Sequence, residues 1–138
     1  MIAQGRLLSL LLLLMHAFAA RGDEAGKTTL YVCEAGDPTF MGAFLQGSET
    51  MDGMPVFSNA NDRSFFRNKG FWYLGDLGPW PPETHYRCVE AEGCNPGGEL
   101  PPTTAEGAWT ASKRFGKEPV PVITSTPCSE QGQGADEL

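Results

Sequence analysis

After about residue 27 the apolar positions of this chain alternate in short runs and show no sustained helical period. Such runs occupy 28–33 (TTLYVC), 41–45, 54–57, 63–66, 71–74 (FWYL), 84–89 (THYRCV), 108–111 and 120–124. Alternation places successive side chains on opposite faces of a strand, so these runs predict β-strands. Between them stand Asp52-Gly53, Asn59-Ala-Asn61-Asp62, Asn68-Lys-Gly70 and Asp76-Leu-Gly78-Pro79, each with residues that accept positive φ in a hairpin loop. Strands at this spacing predict an all-β fold: a small antiparallel meander, sandwich or barrel of about seven or eight strands. Phe71 to Leu74 is apolar on both faces, which suits a central, doubly covered strand. Val120 lies between Pro119 and Pro121, so the last strand is expected at an edge. The segment 93–107, rich in Gly and Pro, is the longest loop and the one expected to move most.

The two ends have a different character. Arg6 precedes an apolar run from Leu7 to Ala20, with small residues at Ala17 and Ala19, the pattern of a secretory signal peptide spanning 1–20. The run is shorter than the roughly 20 apolar residues that span a bilayer, so the mature chain is expected to have no membrane span. Residues 28–128 form one β domain, and 129–138 form a flexible Gly/Gln/Ser tail. That tail closes on Ala135-Asp136-Glu137-Leu138, which resembles a KDEL-type retrieval signal with Ala in place of the usual basic residue. The expectation is a protein of the endoplasmic reticulum lumen that meets a retrieval receptor, with secretion as the alternative.

An oxidising compartment gives the four cysteines a structural meaning. They allow three connectivities. Cys88 and Cys94 bracket a short Gly-containing segment, and Cys33 and Cys128 flank the folded region, so the pairs 33–128 and 88–94 are expected. No C-x-x-C occurs, which argues against thiol exchange, and no paired short spacings point to zinc.

With 138 residues the chain is one domain, and a formal net charge of −7 with no run of basic residues argues against nucleic acid. Outside 1–20 there are 7 Phe, 3 Trp and 3 Tyr against 6 Leu, 5 Val and 1 Ile, so rings must carry much of the core. Candidate chemistry is sparse. His85 is the only imidazole of the mature chain, and strand alternation puts it on the face of Arg87, away from Tyr86 and Cys88. There is no G-x-S-x-G elbow to supply a nucleophile. Asp52, Asp62, Asp76 and Glu83 fall in or beside turns, where a converging pair would suit glycoside hydrolysis. Asn59, Asn61 and Asp62 contain calcium-type oxygens without a complete EF-hand loop. No catalytic residue, metal ligand or cofactor is assigned.

Residues 42–123 carry GAFLQG at 42–47, DGMPVF at 52–57, GFWYLGD at 70–76, THYRC at 84–88 and GAW at 107–109. In this order they resemble a small aromatic-punctuated β domain of secreted proteins in algae and other protists. The resemblance implies a β fold, and it transfers no catalytic residue, because no activity is established for such domains.

The functional expectation is therefore a non-catalytic binding module for a protein or glycan partner. Trp80 between prolines, Trp109 after a loose loop and Tyr86 are its candidate contacts. One alternative is a small luminal enzyme of glycosidase or isomerase type using Asp76, Glu83 or His85. Another is a structural subunit that buries its aromatic surface in a larger complex.

Overall fold

A computed structural model of the chain describes residues 27–129; the expected signal peptide and the Ala135–Leu138 ending lie outside the described residues. All eight alternating runs are strands: β1 Thr29–Glu34, β2 Gly42–Met51, β3 Met54–Ser58, β4 Ser64–Asn68, β5 Phe71–Asp76, β6 Glu83–Cys88, β7 Thr110–Ala111 and β8 Val122–Thr124. They form one antiparallel sheet in the order β7-β6-β5-β4-β3-β2-β1-β8, curled into a half-barrel. The meander follows from its turns. Asp52 and Gly53 both take positive φ, as do Lys69 and Gly70, and two-residue loops of this hand match the twist of the strands they join. Only β8 departs from sequential neighbours, returning to pair with β1 through Tyr31↔Thr124 and Val32↔Ile123. It is an edge strand, as its flanking prolines predict.

The concave side holds the core, and aromatic rings dominate it. Phe44 on β2 meets Phe65 on β4 edge-on at 4.7 Å, and Phe65 meets Trp109 at 5.6 Å. Edge-to-face pairs of this kind add about 0.5–1.5 kcal/mol each beyond their burial. On the opposite face Phe66 stacks on Tyr73 at 5.7 Å, so β4 and β5 are packed on both sides.

Both expected disulfides are present, Cys33–Cys128 and Cys88–Cys94. The loop expected to move most is anchored at several points. Cys94 is tied to β6, Pro101 and Pro102 are buried, and Trp109 Nε1 donates to the Pro102 carbonyl at 2.9 Å. Thr104 N–H donates to the Ile123 carbonyl at 2.9 Å, and its hydroxyl oxygen accepts from Ile123 N–H at 2.7 Å. The segment thus runs from the β7 edge to the β8 edge, closes the gap of the half-barrel and covers a strand edge that would otherwise invite pairing.

Alternation along β6 fails at one residue. Tyr86 faces Leu74 but Thr84 faces Gly75, so His85 is the extra residue of a bulge. The bulge turns His85 inward beside Tyr86 rather than outward with Arg87. Its ring lies 4.7 Å from Phe40 and 5.5 Å from Phe115. Gly75 opposite the bulge is required by close approach: an added Cβ would strike the Glu83 backbone carbonyl.

Candidate binding surface

One end of the half-barrel is built from three connections, the segment 35–41, the β3–β4 loop 59–63 and the β5–β6 loop 77–82. Polar side chains lock them together. Asp37 caps a single 3-10 turn, Pro38–Phe40, accepting from the Thr39 N–H at 3.0 Å and its hydroxyl at 2.7 Å. Asn59 Oδ1 accepts from the N–H of Asn61 and of Arg63, and its amide donates to the carbonyls of Thr39 and Met41. Asn61 donates to the Thr39 carbonyl as well. The two asparagines considered for calcium are thus used to hold loops, and among the described residues no cluster of three His, Cys, Asp or Glu could hold a metal ion.

Arg63 joins the third connection. Its Nη1 meets Asp76 Oδ2 at 2.8 Å, its Nε donates to the Thr39 hydroxyl at 3.1 Å, and its guanidinium lies 5.3 Å from the Phe40 ring centre. The other Asp76 oxygen accepts from Gly78 N–H at 2.9 Å and so starts the 77–82 loop. Partial burial works against the charged form of Asp37, but the two Thr39 hydrogen bonds and the charges of Lys117 and Arg63 outweigh it and hold the carboxyl below its ordinary 3.8. A carboxyl depressed by folding stabilises the protein above its unfolded value, and that contribution is lost as pH falls through the folded value. Asp37→Asn keeps a side chain able to cap the turn but removes the charge, and is accordingly expected to cost about 1 kcal/mol at pH 6, the difference between a charged and a neutral acceptor. The gap between the two melting curves should begin to close as pH falls below about 4 and go on closing through the lower folded value; a gap that persists undiminished to pH 2 would refute the charge argument.

The 77–82 loop carries the one aromatic ring that is exposed among the described residues. Trp80 is 91% exposed between Pro79 and Pro81, whereas Trp72 is 0% and Trp109 4% exposed. Proline limits φ on both sides of the indole, so the ring stands on a short, stiff arch. The other two aromatic candidates lie elsewhere. Trp109 sits in the core against Phe65. Tyr86 is fully buried edge-on to Phe40, with its hydroxyl donating to the Lys117 carbonyl at 2.7 Å, and burial pushes its phenol above the ordinary range. The three candidates therefore do not share a surface; only Trp80 presents one.

The catalytic alternative is poorly served by the same geometry. Asp76 is held by Arg63 and Gly78, and His85 is packed between two rings with Nδ1 at 3.4 Å from the Glu83 carbonyl. Asp52, at the other end of the sheet, accepts from Gly70 N–H at 2.9 Å and lies 3.4 Å from Arg67 Nε. Glu83 is the direct cross-strand partner of Asp76, so these two turn carboxylates do lie side by side, but both oxygens of Asp76 are taken by Arg63 and Gly78, and Asp52 stands at the far end of the sheet.

Sequence reasoning missed a charged cleft beside β6. About 490 Å³ in volume, it is lined by Thr84, Arg87, Ser112, Lys113, Arg114 and Phe115. Its cations come from two separate stretches, joined only when the chain after β7 folds back on β6. The adjacent Lys113-Arg114 pair in an otherwise acidic chain is the sequence signal that bears on it.

Comparison with protein-family models, with curated proteins and with solved structures finds no match. The fold defines the class directly: a small all-β protein, an antiparallel half-barrel closed by a pinned loop and two disulfides. Two disulfides suit a secretory lumen or the exterior. No helix among the described residues is long and apolar enough to cross a membrane.

Proposed function

We propose that this protein is a non-catalytic binding module of the secretory pathway that engages a glycan partner through Trp80. The observation carrying this reading is the contrast among the three indoles, one exposed on a rigid arch and two spent on the core. A flat ring held in solvent stacks on a sugar face without first paying to order itself. The arch rests on an end whose loops are cross-linked by Arg63, Asn59 and Asp37, so binding there requires no rearrangement of the sheet.

The test is an oligosaccharide array probed with the purified chain and with Trp80→Ala. The wild type is expected to be retained on a defined subset. The variant should lose at least about tenfold in affinity, equal to 1.4 kcal/mol, while its melting temperature stays unchanged. Retention by neither protein, or by both alike, overturns the reading.

The finer location is the endoplasmic reticulum lumen, with Ala135-Asp136-Glu137-Leu138 read by a retrieval receptor. An internally tagged chain should stay inside the cell, and the same chain ending at Gly134 should appear in the medium. Equal secretion of both would leave the exterior as the working compartment.

A further inference from the structure

We infer that the cleft beside β6 is a subsite for an anionic substituent, a sulfate, phosphate or carboxylate group, carried on an oligosaccharide. The inference names the substrate class of the module proposed above and rests on that reading for the saccharide, though not for the anion.

Three observations carry it. First, the local charge opposes the global one. In a chain of net charge −7, the walls of this cleft hold Arg87, Lys113 and Arg114. Of these only Arg87 has a carboxylate partner, Glu92 at 2.9 Å; among the described residues Lys113 and Arg114 form no ion pair. Glu92 is engaged further by the Thr110 hydroxyl, which first among its contacts keeps its carboxyl ionised, so it is fixed on the Arg87 side. The cleft thus keeps two cations without an ion-pair partner among the described residues, in a chain whose net charge is −7.

Second, these cations are pre-placed. The Ser112 hydroxyl donates to the Thr84 carbonyl at 2.7 Å and accepts from the N–H of Phe115 and of Gly116. Ser112 N–H donates to the His85 carbonyl at 2.9 Å, and an added Cβ on Gly116 would collide with that same carbonyl. The turn bearing Lys113 and Arg114 is therefore clamped to β6. The Arg114 guanidinium is held 5.0 Å over the Phe115 ring, whose ring in turn packs on His85. Cation–π placement leaves the edge of the guanidinium, with its paired N–H donors, open to an oxyanion.

Third, position and lining favour a saccharide over a peptide. Five of the six lining residues are polar or charged, and the one ring, Phe115, already carries the Arg114 guanidinium at 5.0 Å and a tilted contact to His85 at 5.5 Å. Hydroxyls of a sugar find donors and acceptors in Thr84, Ser112 and the three cations, and the aliphatic stems and the Phe115 ring can meet its apolar face. Thr84 follows Trp80 by four residues, so the Cα atoms of the cleft's first lining residue and of the exposed indole are at most about 13–14 Å apart. One oligosaccharide can reach both.

The test is titration calorimetry of the purified, disulfide-bonded chain with a sulfated oligosaccharide, its desulfated counterpart, and polyglutamate. The sulfated ligand should bind, and its affinity should fall about tenfold or more in the double variant Lys113→Ala/Arg114→Ala and weaken with added salt. The desulfated ligand should bind the wild type and the double variant equally. Lys113→Arg should retain binding, and the melting temperature of each variant should match the wild type. Loss in the double variant without loss in Trp80→Ala supports the cleft and removes Trp80 from the site. Loss in Trp80→Ala alone, without salt dependence, overturns the cleft and leaves the indole reading intact. Equal binding of polyglutamate overturns the assignment to a saccharide, and binding of no ligand overturns the subsite altogether.

Discussion

Removing the Cys33–Cys128 bridge, as the double variant Cys33→Ser/Cys128→Ser, is expected to be the most damaging change in this protein, at about 4–5 kcal/mol. The two residues are 95 positions apart, so the bridge closes almost the whole domain into one loop and strips the unfolded chain of much of its freedom. The native side depends on it as well. Strand β8 has three residues and meets β1 through a register that shifts between Val32 and Glu34, so the bridge adds to a short pairing. Cys88–Cys94 closes a loop of only 6 positions, and the same entropy argument assigns it about 2 kcal/mol. For a domain of this size 1 kcal/mol shifts the melting temperature by about 4–8 °C, so the two bridges should be well separated in thermal melts. If opening 88–94 costs as much as opening 33–128, the short bridge holds the closing loop against the core and the loop-entropy account is wrong here.

Trp109→Ala is expected to cost about 3–5 kcal/mol, the range for removing a large ring from a core. Two losses combine. The ring leaves a void beside Phe65, and its N–H leaves the Pro102 carbonyl without its partner. A buried acceptor stranded in this way costs about 1–3 kcal/mol by itself. Because Pro102 belongs to the segment that closes the half-barrel, the damage should reach the Thr104–Ile123 contacts at the β8 edge. Trp109→Phe keeps most of the ring and should lose mainly the hydrogen bond, falling between the wild type and the alanine variant. Trp80→Ala, by contrast, should stay within about 0.5 kcal/mol of the wild type, as exposed substitutions do. Should Trp109→Ala melt within a few degrees of the wild type, the closing segment is not part of the core.

The strands were legible because their alternation and their turns agreed. Asp52-Gly53 and Lys69-Gly70 ask for positive φ in two-residue loops, and the runs on either side are apolar on one face or, at β4 and β5, on both. Strand β2 is the informative exception. It continues to Met51, beyond the apolar run that ends at Leu45, through residues that are almost all exposed. A ladder held by backbone bonds in solvent has no burial to imprint alternation on Gly47-Ser48-Glu49, and that stretch reads as a loop. His85 was placed on the wrong face because alternation assumes an unbroken ladder, and the bulge that breaks it is set by the register of β5 against β6.

The site was less legible than the fold, for a related reason. Trp109, Tyr86 and Trp80 are all large rings next to Pro- or Gly-bearing segments or on a strand, and composition does not separate a ring that fills the half-barrel from one that stands outside it. Their fates were decided by the closing segment, which buries Trp109, and by the 117 carbonyl, which receives the Tyr86 hydroxyl. The cluster of Arg87, Lys113 and Arg114 is likewise a tertiary fact. A chain with no basic run still assembled a basic cleft, because β7 brings residue 112 back onto residue 84.

The most direct test of the account is collisional quenching of tryptophan emission by acrylamide, with and without saturating amounts of the oligosaccharide selected on the array. Trp72 and Trp109 are buried, so the quenchable emission of the free protein should come from Trp80 and be missing in Trp80→Ala. On saturation the account predicts that this component disappears and that the remaining emission shifts to shorter wavelength as the indole leaves water. A quenchable fraction that is unchanged at saturation would show that the ligand binds elsewhere and that Trp80 is not the contact.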